Sequence, residues 1–473
     1  MTGAGNGGGR TPAGAAGERP AREVVRLALP VAASMGAQSL MGLTDVLFMR
    51  WVGPAEQSAV GLGAAMSWTL LALFTGTLSA VSTFVAQEHG AGRPERTGAY
   101  VWQALWLVLP FAAPLALAGP GLHELLRLSG APPDVAALSA RYIEIRLWSA
   151  GFVFLSFSVV GFYRGLGQMW LPLWITLGQL AANVAFDAWF VFGGGPVPAL
   201  GLEGVAWATA LVSLLGAAGL LAPFLSPSRR RVYGTSRGVA PRARRMLDFA
   251  RIGVPVGASW ALEMVVWSVF TVYAAALGRA EGAAHNIVMQ VIHVSFLPGI
   301  ALSVAASTLV GRQLGADRPA AAERYARATL RVCLGYMGGM GLLFLLLRRP
   351  LADGFAADET VAALAARIFL FGAAFQVFDA VGIVCGGALR GAGDTRYPMV
   401  VSVALSWLLF LPAIVLFGSV AGWGLEGAWL GATAYLAVLA AFLYARFRGG
   451  RWKSIRVVEP AAGPLAPEAA ERA

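Results

Sequence analysis

Charge is what this sequence has least of. Only 13% of its 473 residues are Asp, Glu, Lys or Arg, about half the share of a soluble domain, which excludes an ordinary water-soluble globule. Lysine is almost absent beside arginine, and there are only four histidines. The two cysteines, Cys333 and Cys385, lie inside apolar runs. They read as buried small hydrophobes, which excludes a disulfide framework or a thiolate metal centre. There is no GxxxxGK[ST] phosphate loop and no sizeable polar domain, which excludes direct drive by ATP. No HExxH pair, Ser/His arrangement or cluster of His and Asp stands where an embedded enzyme would need one. No cofactor is expected.

Apolar residues make up 57% of the chain instead. Runs of about 20 residues, enough to cross a bilayer as helices, recur at 27–50, 58–85, 99–119, 139–163, 170–192, 201–225, 250–277, 285–311, 325–347, 363–387, 398–418 and 427–447. The reading is an all-α membrane protein of twelve transmembrane helices, since an open sheet edge cannot sit in lipid. Residues 1–21 and 449–473, rich in Gly, Ala and Pro, read as disordered tails. The first lacks the apolar core of a secretory signal.

The net charge of +11 sits in a few places. Arg229, Arg230, Arg231, Arg237, Arg242, Arg244 and Arg245 fill a central linker, 226–249. Arg10, Arg19, Arg22 and Arg26 precede the first run, and Arg446, Arg448, Arg451, Lys453 and Arg456 follow the last. Alternate loops are nearly bare. This is the positive-inside pattern, so both termini and the linker are expected in the cytoplasm. The basic excess marks topology and neighbouring anionic lipid, not nucleic acid. Arginine without lysine, with abundant Ala and Gly, suggests a GC-rich bacterial genome and hence the plasma membrane.

The chain also repeats itself. VSTFVAQEHGAGRP (81–94) returns as ASTLVGRQLGADRP (306–319), and GFYRGLGQMWLP (161–172) as GALRGAGDTRYP (387–398). GLEG recurs at 201–204 and 424–427, and LPVAAS (29–34) returns as VPVGAS (254–259). Offsets near 225 throughout mean two homologous six-helix bundles, 22–225 and 250–448. Six is even, so the bundles share one orientation and are parallel repeats about a pseudo-two-fold axis along the membrane normal.

STLVGRQLGAD, GALRGAGDT, the paired GLEG segments and the double repeat resemble the multidrug and toxic compound extrusion (MATE) family, in its NorM-like bacterial branch. The resemblance spans about 22–448. It implies a secondary antiporter working by alternating access, with organic cations or amphipathic drugs as cargo, H⁺ or Na⁺ as coupling ion, and the lipid bilayer as surroundings. A functional monomer is expected. A lipid-linked intermediate flippase on a related scaffold is the alternative, but it calls for a cationic cavity, whereas the charge inside these runs is mostly acidic.

Four acids fall within apolar runs: Asp45, Asp187, Glu263 and Asp379. A carboxylate in hydrocarbon costs about 2.5–3.5 kcal/mol, so each marks a candidate site. Counting along the helices puts Asp45 and Asp187 at one level, roughly 26 Å from the cytoplasmic side. Asn183 lies one turn from Asp187 on the same face. The three can form one pocket for a proton or a sodium ion. Glu263 and Asp379 lie roughly 17 Å from that side, in the second bundle. The repeat shows that the scaffold does not need these acids: Asp45 aligns with Phe270, Asn183 with Leu409, Asp187 with Ala413 and Asp379 with Val153. Glu263 aligns with Gln38, a polar exception.

The resemblance carries the same roles onto Asp45 in GLTDVLFM, Asn183 and Asp187 in NVAFD, Glu263, and Asp379 in FQVFDAV, with Thr209 as polar support. It departs at Phe375, where sodium-coupled relatives have tyrosine, and this favours protons. Trp260, Met264, Trp267 and Phe375 are candidates for a cavity that accepts flat cations.

Overall fold

The computed structural model describes residues 20–458 apart from 128–131, 195, 197 and 357. Residues 1–19 and 459–473, most of the two expected tails, lie outside that description. Among the described residues twelve helical spans follow one another: α1 (Pro20–Met49), α2 (Pro54–Gly90, irregular at Ser79 and Ala80), α3 (Pro94–Ala118), α4 (Pro133–Trp148 and Ala150–Gly165), α5 (Trp170–Phe192), α6 (Leu202–Phe224), α7 (Ala243–Leu277), α8 (Arg279–Gly315), α9 (Pro319–Phe355), α10 (Glu359–Ala392), α11 (Arg396–Val420) and α12 (Gly424–Arg448). Eleven are each long and apolar enough to cross a membrane; α4 qualifies as a pair bent by 49°.

Local chemistry sets the ends. Five spans open on proline, at positions 20, 54, 94, 133 and 319, where the missing N–H costs nothing. Asp358 caps α10 by accepting the Val361 amide at 2.9 Å, and α10 ends on Gly393 in the left-handed region (φ 87°). The α4 bend falls where the Ser149 hydroxyl bonds back to the Arg146 carbonyl at 2.9 Å. In α11, two wide turns (Ser406–Phe410 and Leu416–Val420) flank Pro412.

Two segments that the sequence presents as loose are packed. The linker ends at Arg242, because α7 already begins at Ala243. Its chain lies along α3, where the Trp102, Gln103 and Trp106 side chains donate to the carbonyls of Thr235 (2.7 Å), Gly238 (3.2 Å) and Val239 (2.6 Å). After α12, Trp452 is fully buried and stacks on Phe447 at 5.3 Å. Lys453 then pairs with Glu323 and Arg456 with Asp317. Residues 449–458 therefore belong to the fold, not to a tail.

Each half has its own core. One is built from residues such as Phe84, Phe154, Phe162 and Phe224, the other from Phe270, Phe344, Phe369 and Trp429. A third cluster joins them, with Val24, Ala28 and Val31 of α1 against Ala301, Ala305 and Leu309 of α8. The junction lies at the arginine-rich end and follows the repeat. The Thr83 hydroxyl donates to the Arg390 carbonyl (3.0 Å), and its counterpart Thr308 donates to the Arg164 carbonyl (3.1 Å). A Cβ on Gly90 would overlap the Arg312 carbonyl, and one on Gly315 would overlap that of Gln87. α2 crosses α7 similarly, with Gly76 against Gly257 and Trp260. Towards the other end, Gln38, Leu40 and Leu43 of α1 are exposed.

Gly90→Val and Gly315→Val should each weaken the joined ends by about 1–3 kcal/mol, the usual cost of overpacking. A cysteine replacing Ala306, buried in the junction, should then react with a maleimide several-fold faster than in the parent. Gly339, with nothing near its Cβ position, serves as control through Gly339→Ala. Equal labelling rates in all four proteins would contradict the assignment.

Candidate functional site

Four helices of the first half meet around NVAFD. α5 presents Asn183 and Asp187, both wholly buried, one turn apart on one face. α1 brings Asp45, 5% exposed, one turn before its end at Met49. The Asn183 amide donates to Asp45 Oδ1 at 3.2 Å, and the Thr209 hydroxyl of α6 donates to Asp45 Oδ2 at 3.2 Å. The Thr44 hydroxyl closes the ring by donating to Asn183 Oδ1 at 3.1 Å.

Asp187 differs from Asp45. Its carboxyl lies within hydrogen-bonding reach of Asp45, yet among the described residues neither of its oxygens meets a donor. Two carboxylates side by side, one already satisfied and one with no donor, repel unless a proton or a small cation stands between them. Asp45, Asp187 and the Asn183 amide oxygen are the hard oxygen atoms such a cation would need. Among the described residues no cluster of three or more His, Cys, Asp or Glu forms a metal centre.

α4 supplies what reading the sequence for acids missed. Tyr142 is buried, close enough for its hydroxyl to feel the charge of both aspartates. One turn on, the charge of Arg146 acts favourably on Asp45, and its buried Nη1 has no partner among the described residues. The sequence signal was an arginine seven residues into the apolar run at 139–163. Its neighbours Arg141 and Glu144 made that stretch look like the mouth of a span. Those two are paired with each other and, through Arg141, with Glu203. Gln38 stands exposed two turns before Asp45, outside the hydrogen-bonded set.

The second half keeps its acids elsewhere. Glu263 of α7 is partly buried and Asp379 of α10 is 8% exposed. They lie close enough to feel each other's charge, and both act on Tyr435. Arg390 reaches into this region. Its side chain runs back towards the start of α10, as helical side chains do. It donates to Ser303 Oγ at 2.9 Å and turns its charge to Glu263. Arg390 is therefore part of the interior, not only the loop anchor its place before Gly391 suggests.

Where the first half has its acid ring, the second has aromatic packing. Phe270, the counterpart of Asp45, touches Phe410 (5.5 Å), Trp429 (5.6 Å) and His285 (4.6 Å). Trp267 joins this cluster at 5.8 Å from Phe375, which is 5% exposed. Phe375 is thus buried in this aromatic cluster, and Trp267 is partly buried at its edge. Trp260 packs over Gly76 at the junction of the halves, and Met264 is partly buried one turn further along α7.

Asp187→Asn places an amide donor beside the Asp45 carboxylate and removes a buried acceptor that lacks a partner. The purified variant should unfold at a temperature equal to or above the parent's, a gain of up to about 1–3 kcal/mol. Marked destabilisation in a thermal unfolding assay would contradict the ring as described.

Comparison with known proteins agrees with this architecture. The MatE family model matches residues 30–189 and again 255–416, one match in each half. The chain is 29% identical to the multidrug resistance protein NorM of Burkholderia vietnamiensis, covering 91% of this chain and 94% of that one. It is 30% identical to a probable multidrug resistance protein NorM of Pseudomonas aeruginosa, covering 93% and 91%. Among solved structures, a MATE protein in its bent conformation superposes with a TM-score of 0.84 at 21% identity, covering 92% of this chain and 97% of that one. An outward-facing multidrug resistance MATE transporter gives 0.82 at 20%, with the same coverage. The helices, the duplicated halves and the two matches together place the chain in the MatE family of multi-pass membrane transporters, which are not enzymes.

Proposed function

We propose that the protein is a secondary efflux antiporter that exports cationic or amphipathic organic compounds in exchange for inward protons. The observation that carries this is the donor-less carboxyl of Asp187 beside Asp45, on one half only. A proton arriving there relieves the repulsion between the acids, and a cationic compound competes for the same negative charge. The match to multidrug resistance proteins supports the cargo class. Phe375, in place of the tyrosine of sodium-coupled relatives, favours protons over sodium.

In this reading the arginine-rich end faces the cytoplasm of a bacterial inner membrane, with both termini inside, and the chain works as a monomer. The halves, 22–225 and 250–448, are joined at that end, so the arrangement described is the one closed to the cytoplasm. α1 is the element that responds. Pro30 leaves the Arg26 carbonyl without its helical partner, the Ser34 hydroxyl bonds to the Pro30 carbonyl at 2.9 Å, and Gly36 has open space around it. A helix so weakened bends readily when the charge near its far end is compensated. Trp260, Met264, Trp267 and Phe375 offer the aromatic and polarisable contacts for cargo, Gln38 gives polar support, and Glu263 and Asp379 offer a second negative centre.

Expression in a drug-sensitive bacterium should raise tolerance to ethidium. Export confined to anionic compounds would contradict the reading. In proteoliposomes, an imposed ΔpH should drive efflux in sodium-free buffer; transport that needs Na⁺ and ignores ΔpH would overturn proton coupling.

Asp45→Asn and Asp187→Asn should each abolish gradient-driven efflux while expression stays near the parent level. Because the two share one site, the double variant should be no worse than the worse single one. Retained efflux in both single variants would defeat the mechanism.

A further inference from the structure

The two sides of the junction between the halves are closed differently. On one side Gln87 of α2 donates to the Gly391 carbonyl at 3.0 Å. The segment after α12 then folds over it. The Val457 amide donates to Gln87 Oε1 at 3.4 Å, and the Val457 side chain covers Gly393. Nearby on α7, Arg251 is paired with Asp248 at 3.2 Å. The repeat places Arg312 where Gln87 stands, Arg26 where Arg251 stands, Glu23 where Asp248 stands and Gly167 where Gly393 stands.

On this second side no segment of the described chain folds over. A cavity of about 230 Å³ remains between the halves, lined by Glu23, Arg26, Gly167, Trp170 and Arg312 among others. Glu23 does not pair with Arg26, because it accepts the Tyr325 hydroxyl of α9 instead. Among the described residues neither Arg26 nor Arg312 has a carboxylate partner. Two guanidinium groups, one from each half, therefore face one hollow. The two helices that supply Arg26 and Trp170 also carry exposed apolar side chains, Val25 and Leu29 on α1 and Trp170 and Trp174 on α5.

We propose that this cavity binds a phosphate-bearing anion, and that the natural source is the headgroup of an anionic phospholipid. Guanidinium groups match phosphate oxygens in geometry and charge, and basic hollows between transmembrane helices take such headgroups. Those exposed apolar side chains offer the acyl chains a surface that a soluble phosphate ester does not use. Held by Arg26 and Arg312 together, the headgroup ties α1 to α8 across the junction. It does on this side what residues 455–458 do on the other.

The test uses the full-length protein in nanodiscs of phosphatidylcholine with and without phosphatidylglycerol. The readouts are lipid retained in native mass spectrometry and the unfolding temperature. Phosphatidylglycerol should be retained and should stabilise the parent. Arg26→Gln and Arg312→Gln should each weaken the effect about fivefold, the share of one basic residue at an anionic surface. Arg251→Gln, on the covered side, should leave it unchanged, and the Arg26→Lys/Arg312→Lys protein should keep most of it. Glycerol 3-phosphate, added to protein in neutral detergent, separates the sources. A weak response supports the lipid; a response equal to that of phosphatidylglycerol keeps the anion site but overturns the lipid source. Equal stability in both nanodiscs, or full stabilisation by phosphatidylglycerol after loss of both arginine charges, would overturn the site itself.

Discussion

Inside a bilayer no hydrophobic force pulls one helix against another, so two half-molecules stay joined only where their backbones approach closely. Here that approach is made at one end and again where α2 crosses α7. Gly90 and Gly315 each leave room for a carbonyl of the opposite half. Thr83 and Thr308 each donate to the carbonyl of an arginine on the opposite half. The contacts obey the 225-residue repeat, so one local solution, used twice, makes the junction. Around these close approaches lies the apolar cluster that joins α1 to α8.

The repeat also shows what the two halves do differently. One scaffold position holds Asp45 in the first half and Phe270 in the second. Around the first stand Asn183, Thr209 and Asp187; around the second stand Phe410, Trp429 and His285. The second filling demonstrates that the bundle packs without carboxylates at this level. Keeping two of them, one without a donor, runs against stability in a medium where an unpaired charge is costly. That cost is the physical reason to connect the ring with function. The acids of the second half sit lower, near Arg390 and Tyr435, so the halves are unequal in both position and partners of their charge.

Much of this is legible in the sequence because membranes impose simple rules. Run length gives the spans, the arginine distribution gives the shared orientation, and the four matching motifs give the halves. Asp45, Asn183, Asp187 and Thr209 are brought together as their spacing and the family resemblance imply. The misses have physical causes as well. Arg146 hides among surface charges on a helix whose bend at Ser149 sets which residues point inward. Tyr142 is one tyrosine among ten, without a pattern to mark it. Trp452 and the chain beyond it look like a polar tail, because anchoring by a single aromatic side chain and two ion pairs has no periodicity. That Phe375 and Trp267 stand together, at 5.8 Å, in an aromatic cluster is likewise not marked by residue type.

The central claim is that the charge on Asp45 and Asp187 governs whether the junction at Gly90 and Gly315 is closed. The most direct measurement is the distance between spin labels on cysteines replacing Glu95 and Ala320, exposed positions just beyond that junction, in protein lacking Cys333 and Cys385. The parent should show a short distance and, as pH is changed, a second and longer one. The Asp45→Asn/Asp187→Asn protein should show a single distribution that ignores pH. An unaltered pH response in that double variant would contradict the account.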